Sequence, residues 1–174
     1  MADIIQLSRL DEQQDAVVSM ESVELDELAK DVVNNLRDHA EKKNISLDYC
    51  GIPINIQGVR HVLYEMLYNI ADNAVRYTNP GGHIHIYVGR KGDHPFYRVE
   101  DDGIGIPKSE QKRIFERFYR VDKSHSRQTG GTGLGLSIAR WAAQLHGGTV
   151  RVVDDPRGAD FEITLPKYHI SDDE

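Results

Sequence analysis

Basic excess is missing from this chain, and so are cysteine pairs and long apolar runs. Its 174 residues carry 21 Lys and Arg against 28 Asp and Glu, a formal net charge of -7. Neutralising a polymeric phosphate backbone takes a basic surface, so a nonspecific nucleic-acid binder is excluded. The single cysteine, Cys50, rules out an internal disulfide and a multi-cysteine zinc site, and it points to a reducing compartment. No stretch of about 18 or more apolar residues occurs, so nothing reads as a membrane-spanning helix. The start, Met1-Ala2-Asp3-Ile4-Ile5, has neither the basic region nor the long apolar region of a secretion signal. What is left is one ordinary domain's worth of chain, 39% hydrophobic, long enough to bury one core.

Hydrophobic spacing then assigns the elements. Ile4, Leu7 and Leu10 recur at three-residue intervals and read as the end of an amphipathic helix whose partner lies elsewhere. Leu25, Leu28, Ala29, Val32, Val33, Leu36 and Ala40 share one face of a helix over residues 25–43. Val62, Leu63, Met66, Leu67, Ile70, Ala71 and Ala74 do the same over 59–76. Short strands are expected at 45–49 and 54–56. After the turn signal Asn79-Pro80-Gly81-Gly82, residues 83–88 alternate as a half-buried strand, paired by a hairpin with 96–100. Residues 101–133 carry little regular pattern. A last helix spans 134–145 and stops at Gly147-Gly148, and strands at 149–153 and 159–165 close the domain. Helices alternating with hairpin-linked strands predict an α+β, two-layer α/β sandwich: a mixed sheet of about five strands with about three helices on one face.

Four segments carry chemistry. In Asn69-Ile70-Ala71-Asp72-Asn73-Ala74-Val75-Arg76-Tyr77, the two Asn are one helical turn apart on one face. Carboxamide oxygens can ligate Mg²⁺ beside phosphate oxygens, Arg76 can hold a phosphate, and Tyr77 offers a ring edge to a base. An ordinary exposed polar face reads equally from the same residues. In Glu100-Asp101-Asp102-Gly103-Ile104-Gly105-Ile106-Pro107, a strand-end carboxylate can accept from an exocyclic amino group, and two glycines permit close backbone approach; a tight turn with solvated acids is the plain alternative. In Arg113-Ile114-Phe115-Glu116-Arg117-Phe118-Tyr119-Arg120, the rings at 115, 118 and 119 form a stripe read first as packing. Finally, Gly130-Gly131-Thr132-Gly133-Leu134-Gly135-Leu136 opens the last helix, where backbone N–H groups and the helix dipole can meet an anion, or where the chain simply hinges. Its spacing matches neither a P-loop nor a Rossmann fingerprint.

In this order and spacing the four segments closely resemble the N, G1, F and G2 boxes of the ATP-binding catalytic domain of sensor histidine kinases, in the GHKL or Bergerat-fold superfamily. The resemblance covers about residues 23–166. It divides the chain into the last turns of a dimerisation helix with its linker (1–14), the ATP-binding catalytic domain (15–167) and an acidic tail (168–174). It implies ATP and Mg²⁺ as cofactors, with Asn73 the metal ligand and Asn69 supporting the metal–phosphate site. Arg76 stands where the family usually has Lys, so a planar fork replaces a point charge. Tyr77 is implied to pack on the nucleotide, Asp101 to read the adenine amino group, and Gly105 to leave room for the base. Asp102 occupies a position where Asn is common. Arg117 and Arg120 are implied at a mobile lid, Arg120 reaching the terminal phosphate. Gly131, Gly133 and Gly135 wrap the phosphates, and Leu134 and Leu136 anchor the lid's end. Gly103, Ile106, Tyr119 and Thr132 complete the implied nucleotide-binding set.

The resemblance also bears on mechanism. Gyrase-type ATPases carry a water-activating Glu at the position of Asn69, and a neutral carboxamide is no general base. Slow hydrolysis is therefore expected, the γ-phosphoryl going instead to a protein histidine; Glu65, one turn back, is read as structural. None of the eight histidines has the His-Glu-x-x-x-Pro-like setting of the acceptor. His83 and His85 share a strand face, but zinc would need a third ligand that is not evident. The chain thus reads as a monomeric piece of a two-component kinase. Its implied partners are its own dimerisation and phosphoacceptor domain and a response regulator, with no nucleic acid and no direct membrane contact. The implied location is cytoplasmic, within a membrane-anchored sensor. The competing readings are a nucleotide-binding regulatory module or anti-sigma-type serine kinase, and a gyrase-like ATPase clamp.

The net charge also hides a split. Between residues 107 and 128, Lys108, Lys112, Arg113, Arg117, Arg120, Lys123 and Arg127 face only Glu110, Glu116 and Asp122, so this segment carries +4 and the remainder -11. A small polyanion such as a triphosphate is attracted there.

Overall fold

The computed structural model describes residues 20–103, 105–111, 113–116, 135–155 and 158–166. The implied dimerisation-helix segment 1–14, the lid residues Arg117, Tyr119 and Arg120, the glycine-loop residues Gly131, Thr132, Gly133 and Leu134, and the tail 168–174 lie outside them.

Strand β1 (Glu21–Glu24) leads into helix α1 (Leu25–Lys42). Strands β2 (Ser46–Gly51) and β3 (Asn55–Gly58) follow, then helix α2 (Arg60–Tyr77). The hairpin β4 (His83–Lys91) and β5 (His94–Asp101) comes next. Two 3₁₀ turns (Lys108–Glu110 and Arg113–Phe115) precede helix α3 (Gly135–Leu145) and the final pair β6 (Thr149–Asp155) and β7 (Gly158–Thr164). Five strands form one mixed sheet in the order β2-β4-β5-β7-β6, with β2 parallel to β4 and the other neighbours antiparallel. The expected two-layer sandwich is therefore present. Strand β3 lies outside the main sheet. It pairs with β1 as a separate two-stranded ribbon, Val23 opposite Ile56, and does not extend the main sheet. With Val23 its one buried residue, β1 has no period to announce it.

Alternation in the strands sends one row of side chains under the helices. Ile86, Val99, Phe161 and Val152 lie opposite one another across β4, β5, β7 and β6, and the first three are fully buried. Each large side chain removed from water in this way contributes about 1.5–3 kcal/mol. The helices answer with the stripes read from the sequence: Leu25, Val32 and Leu36 on α1, Leu63, Met66 and Ile70 on α2, and Ile138 and Ala142 on α3. Phe115 packs edge-on to Phe161 at 6.2 Å between ring centres, so this member of the aromatic stripe is a packing residue.

Helix α2 carries the first of the four sequence motifs, and three contacts fix it. At its start, the buried His146 accepts the backbone N–H of Val59 on Nε2 (3.1 Å). At its middle, the buried Tyr97 hydroxyl donates to the Leu67 carbonyl at 3.0 Å. At its end, Lys43 Nζ donates to the carbonyls of Val75 (2.8 Å) and Arg76 (3.0 Å), where the negative end of the helix dipole favours a cation. Lys43 caps the end of α1, and Asn44 after it takes the left-handed conformation (φ 56°) that asparagine tolerates better than most residues.

The outer face of the sheet is charged but not open. Glu162 on β7 is 1% exposed under Lys91 of β4 (2.9 Å), Arg151 of β6 (3.0 Å) and Arg98 of β5 (3.4 Å). Among the described residues, no helix is long and apolar enough to cross a membrane.

Candidate functional site

Residues Glu65, Asn69, Asn73 and Tyr77 recur every four positions, so they form one line along α2. Asn69 is buried in the middle of it. Its Nδ2 donates to the Glu65 carbonyl at 2.7 Å and lies 3.5 Å from the Glu65 carboxylate, which makes Glu65 a holder of the amide. Its Oδ1 is thereby turned away from α2 and toward Gly135, the first residue of α3. A Cβ on Gly135 would stand 3.1 Å from that oxygen, so a glycine lets the N-terminus of α3 approach the amide. One turn on, Asn73 is half-buried, and its side chain makes no hydrogen bond with a described residue. Arg76 Nε pairs with Asp72 Oδ2 at 2.8 Å, one turn earlier, which sets the direction of its guanidinium.

The other end of the line meets the β5 turn. Asp101 ends β5 between Ile84 of β4 and Ala159 of β7, and only 7% of it is exposed. Its Oδ1 accepts the backbone N–H of Gly103 at 2.9 Å and of Ala159 at 3.4 Å. Gly103 lies against the end of α2: a Cβ there would be 2.6 Å from the Tyr77 carbonyl and 2.9 Å from Asp101 Oδ1. Gly105 takes the left-handed conformation (φ 73°) that lets the chain double back, and Ile106 packs on the core. The structure therefore brings together Tyr77, Asp101 and Gly103 at one end of α2, and Asn69 and Gly135 near its middle, with Leu136 partly buried beside them. At a rise of about 1.5 Å per residue, Asn69 and Tyr77 are separated by about 12 Å along the helix.

Three features of this region have no signature in the sequence motifs. Gly158 faces the backbone of Asp101, where a Cβ would be 2.0 Å from its carbonyl oxygen. Thr78, 1% exposed, buries a hydroxyl without a hydrogen-bond partner beside the turn. Asp102 accepts from the backbone N–H of His83 at 2.8 Å and from its ring at 2.9 Å, and chiefly that backbone contact holds its carboxyl below the usual carboxylate range. His85 pairs separately with Asp48 at 3.6 Å, and the described residues contain no cluster of three potential metal ligands.

This combination, a buried strand-end carboxylate, a glycine turn and an amide set against a glycine-started helix, coincides with a family match over residues 58–169, to the histidine kinase-, DNA gyrase B- and HSP90-like ATPases. The chain belongs to that family. As a member it is an ATP-binding domain, and its sandwich is the Bergerat fold. Among its relatives, the sensor-like histidine kinase SenX3 of Mycolicibacterium smegmatis is 34% identical over 170 residues, which is 97% of this chain and 44% of that protein. The chain spans less than half the length of such curated relatives. Among solved structures, the mycobacterial sensor histidine kinase MprB superposes with a TM-score of 0.75 at 27% identity, covering 87% of this chain and all of that one. Full-length ShkA in complex with AMPPNP matches with a TM-score of 0.75 at 27% identity, over 88% of this chain and 32% of that one. The ATPase domain is thus of the histidine-kinase type.

Proposed function

We propose that this domain is the catalytic part of a two-component sensor histidine kinase, binding Mg-ATP and donating its γ-phosphoryl to a histidine on a dimerisation domain. The observation that carries this reading is the buried Asp101 carboxylate beside the end of α2 together with the Asn69 amide against Gly135 near its middle. Asp101 accepts the adenine amino group, Tyr77, Gly103, Gly105 and Ile106 frame the base, and Arg76, Arg120 and the glycines from 131 to 135 meet the phosphates. Asn73 fits a magnesium ion: it is a carboxamide on the site face of α2 with no described hydrogen-bond partner, and hard cations take such oxygens. When bound, the ion neutralises phosphate charge. Asn69 cannot take a proton from water, which favours transfer to a protein acceptor over hydrolysis. The reading assigns residues 15–167 to this domain, residues 1–14 to the end of the dimerisation helix, and a response regulator to the next step.

Asp101→Asn supplies the direct test. The amide keeps an oxygen for the Gly103 N–H but turns an NH₂ toward the adenine amino group. Mg-ADP affinity is expected to fall at least about tenfold, or 1.4 kcal/mol, with little change in melting temperature. Acid-labile phosphate should appear on a supplied dimerisation domain and depend on Asn73. Absence of any Mg-dependent nucleotide binding by titration calorimetry refutes the reading.

A further inference from the structure

One acidic side chain joins the start of β4 to the turn after β5. Asp102 Oδ1 accepts the backbone N–H of His83 at 2.8 Å, and His83 Nδ1 stands 2.9 Å from Asp102 Oδ2. The backbone N–H of Asp102 returns a bond to the His83 carbonyl at 3.3 Å. The approach is so close that a Cβ on Gly82 would lie 2.7 Å from Asp102 Oδ1. Asp102 sits between Asp101 and Gly103, so this contact fixes the outer side of the same turn that Asp101 fixes from inside.

A carboxylate only accepts, so Nδ1 of His83 carries the hydrogen whichever charge the ring has. Asp102, held low by its backbone donor, is ionised near neutral pH, so both contacts from His83 are charge-assisted hydrogen bonds. The surroundings leave the pair to itself. On β2 the residue opposite His83 is Ser46, and Asp48 is engaged by His85. On β5, Asp101 points into the turn and Glu100 pairs with Arg98 at 2.9 Å. Lys43 spends its ammonium on the α2 carbonyls. Among the described residues, Asp102 is the one acid within ion-pair distance of His83.

We propose that His83 and Asp102 are positioning residues for the nucleotide base: together they hold the turn that presents Asp101. This rests on Asp101 reading the base. The pair is partly exposed, so its effect is modest, about threefold in affinity.

The experiment is Mg-ADP titration calorimetry at neutral pH on the wild type, Asp102→Ala, Asp102→Asn, His83→Ala and the strand control His85→Asn. The amide at 102 still accepts the His83 backbone bond, whereas alanine accepts nothing. Affinity should fall about threefold for Asp102→Ala and His83→Ala, recover in Asp102→Asn and stay level for His85→Asn. Affinities level with the wild type for both alanine variants, or an Asp102→Asn as weak as Asp102→Ala, overturn the proposal while the nucleotide reading stands. A wild type that binds no Mg-ADP overturns both. Should Asp102→Ala melt too low to titrate, His83→Ala carries the same test.

Discussion

Gly158→Ala is the sharpest perturbation the fold offers. Gly158 opens β7 where it runs beside the end of β5. An added methyl would meet the Asp101 carbonyl oxygen at 2.0 Å, the Asp101 carbonyl carbon at 2.8 Å and the Asp102 Cα at 2.8 Å. An ordinary carbon–oxygen approach is about 3.3 Å, so the two strands must part by more than about 1 Å. All three obstacles are backbone, and no rotamer change relieves them. Gly158 does not use the left-handed region, so the cost is steric and not conformational. Overpacking of this kind costs about 1–3 kcal/mol, and weakening the 3.4 Å bond from the Ala159 N–H to Asp101 adds up to about 1 kcal/mol. At about 2–4 °C per kcal/mol for a chain of this length, the melting temperature should drop by roughly 2–16 °C. Differential scanning calorimetry measures this directly, with Gly92→Ala as the comparison, because Gly92 is left-handed (φ 61°) but has nothing within 4 Å. Mg-ADP affinity should fall for Gly158→Ala and not for Gly92→Ala. A Gly158→Ala domain that melts within about 1 °C of the wild type would refute the packing argument.

Removing the Tyr97 hydroxyl as Tyr97→Phe should cost about 1 kcal/mol by urea denaturation, since it deletes a buried bond to the Leu67 carbonyl while that carbonyl keeps a place in α2. Glu162→Gln should cost about 1–2 kcal/mol near neutral pH by removing the anion shared by Lys91, Arg151 and Arg98, of which Arg98 keeps Asp160 at 3.0 Å. Burial pushes the Glu162 carboxyl up, but hydrogen bonds from Lys91 and Arg151 outweigh it and hold it below its ordinary value. A depressed acid stabilises above its unfolded pKa, so the gap between wild type and Glu162→Gln should close as pH falls below about 4.5. His146 is a base that burial pushes down, despite its bond to the Ala142 carbonyl. Its contribution should be complete above about pH 6.5 and decline as acid charges the ring and breaks the Val59 contact; a His146→Gln domain should show a flatter melting profile across that range.

Both long helices were legible from their stripes to within a residue or two, because a 3.6-residue period repeated over eighteen residues leaves little ambiguity. The β5 turn and the paired Asn were legible as types of chemistry, and Asp101 and Asn69 do sit where two chain segments meet. What escaped depends on contacts between distant segments. Asp160 and Glu162 alternate with Phe161 and Ile163 and read as a solvated strand face. They are buried because Arg98, Lys91 and Arg151 arrive from other strands. His146 reads as a helix-end residue, and its bond to Val59 joins positions 87 apart. Gly158 is indistinguishable in sequence from an ordinary hairpin glycine, since its neighbour belongs to the turn at 101.

Helix α2 is clamped by His146 at its start, Tyr97 at its middle and Lys43 at its end, each reaching it from a different element. A nucleotide bound as proposed, along Asn69, Asn73 and Tyr77, would meet a helix tethered at three points, so any adjustment to it would fall on the turns and the helix start around α2. Because the tethers are three unrelated side chains, loss of any one leaves two still holding the helix against the sheet and its neighbours.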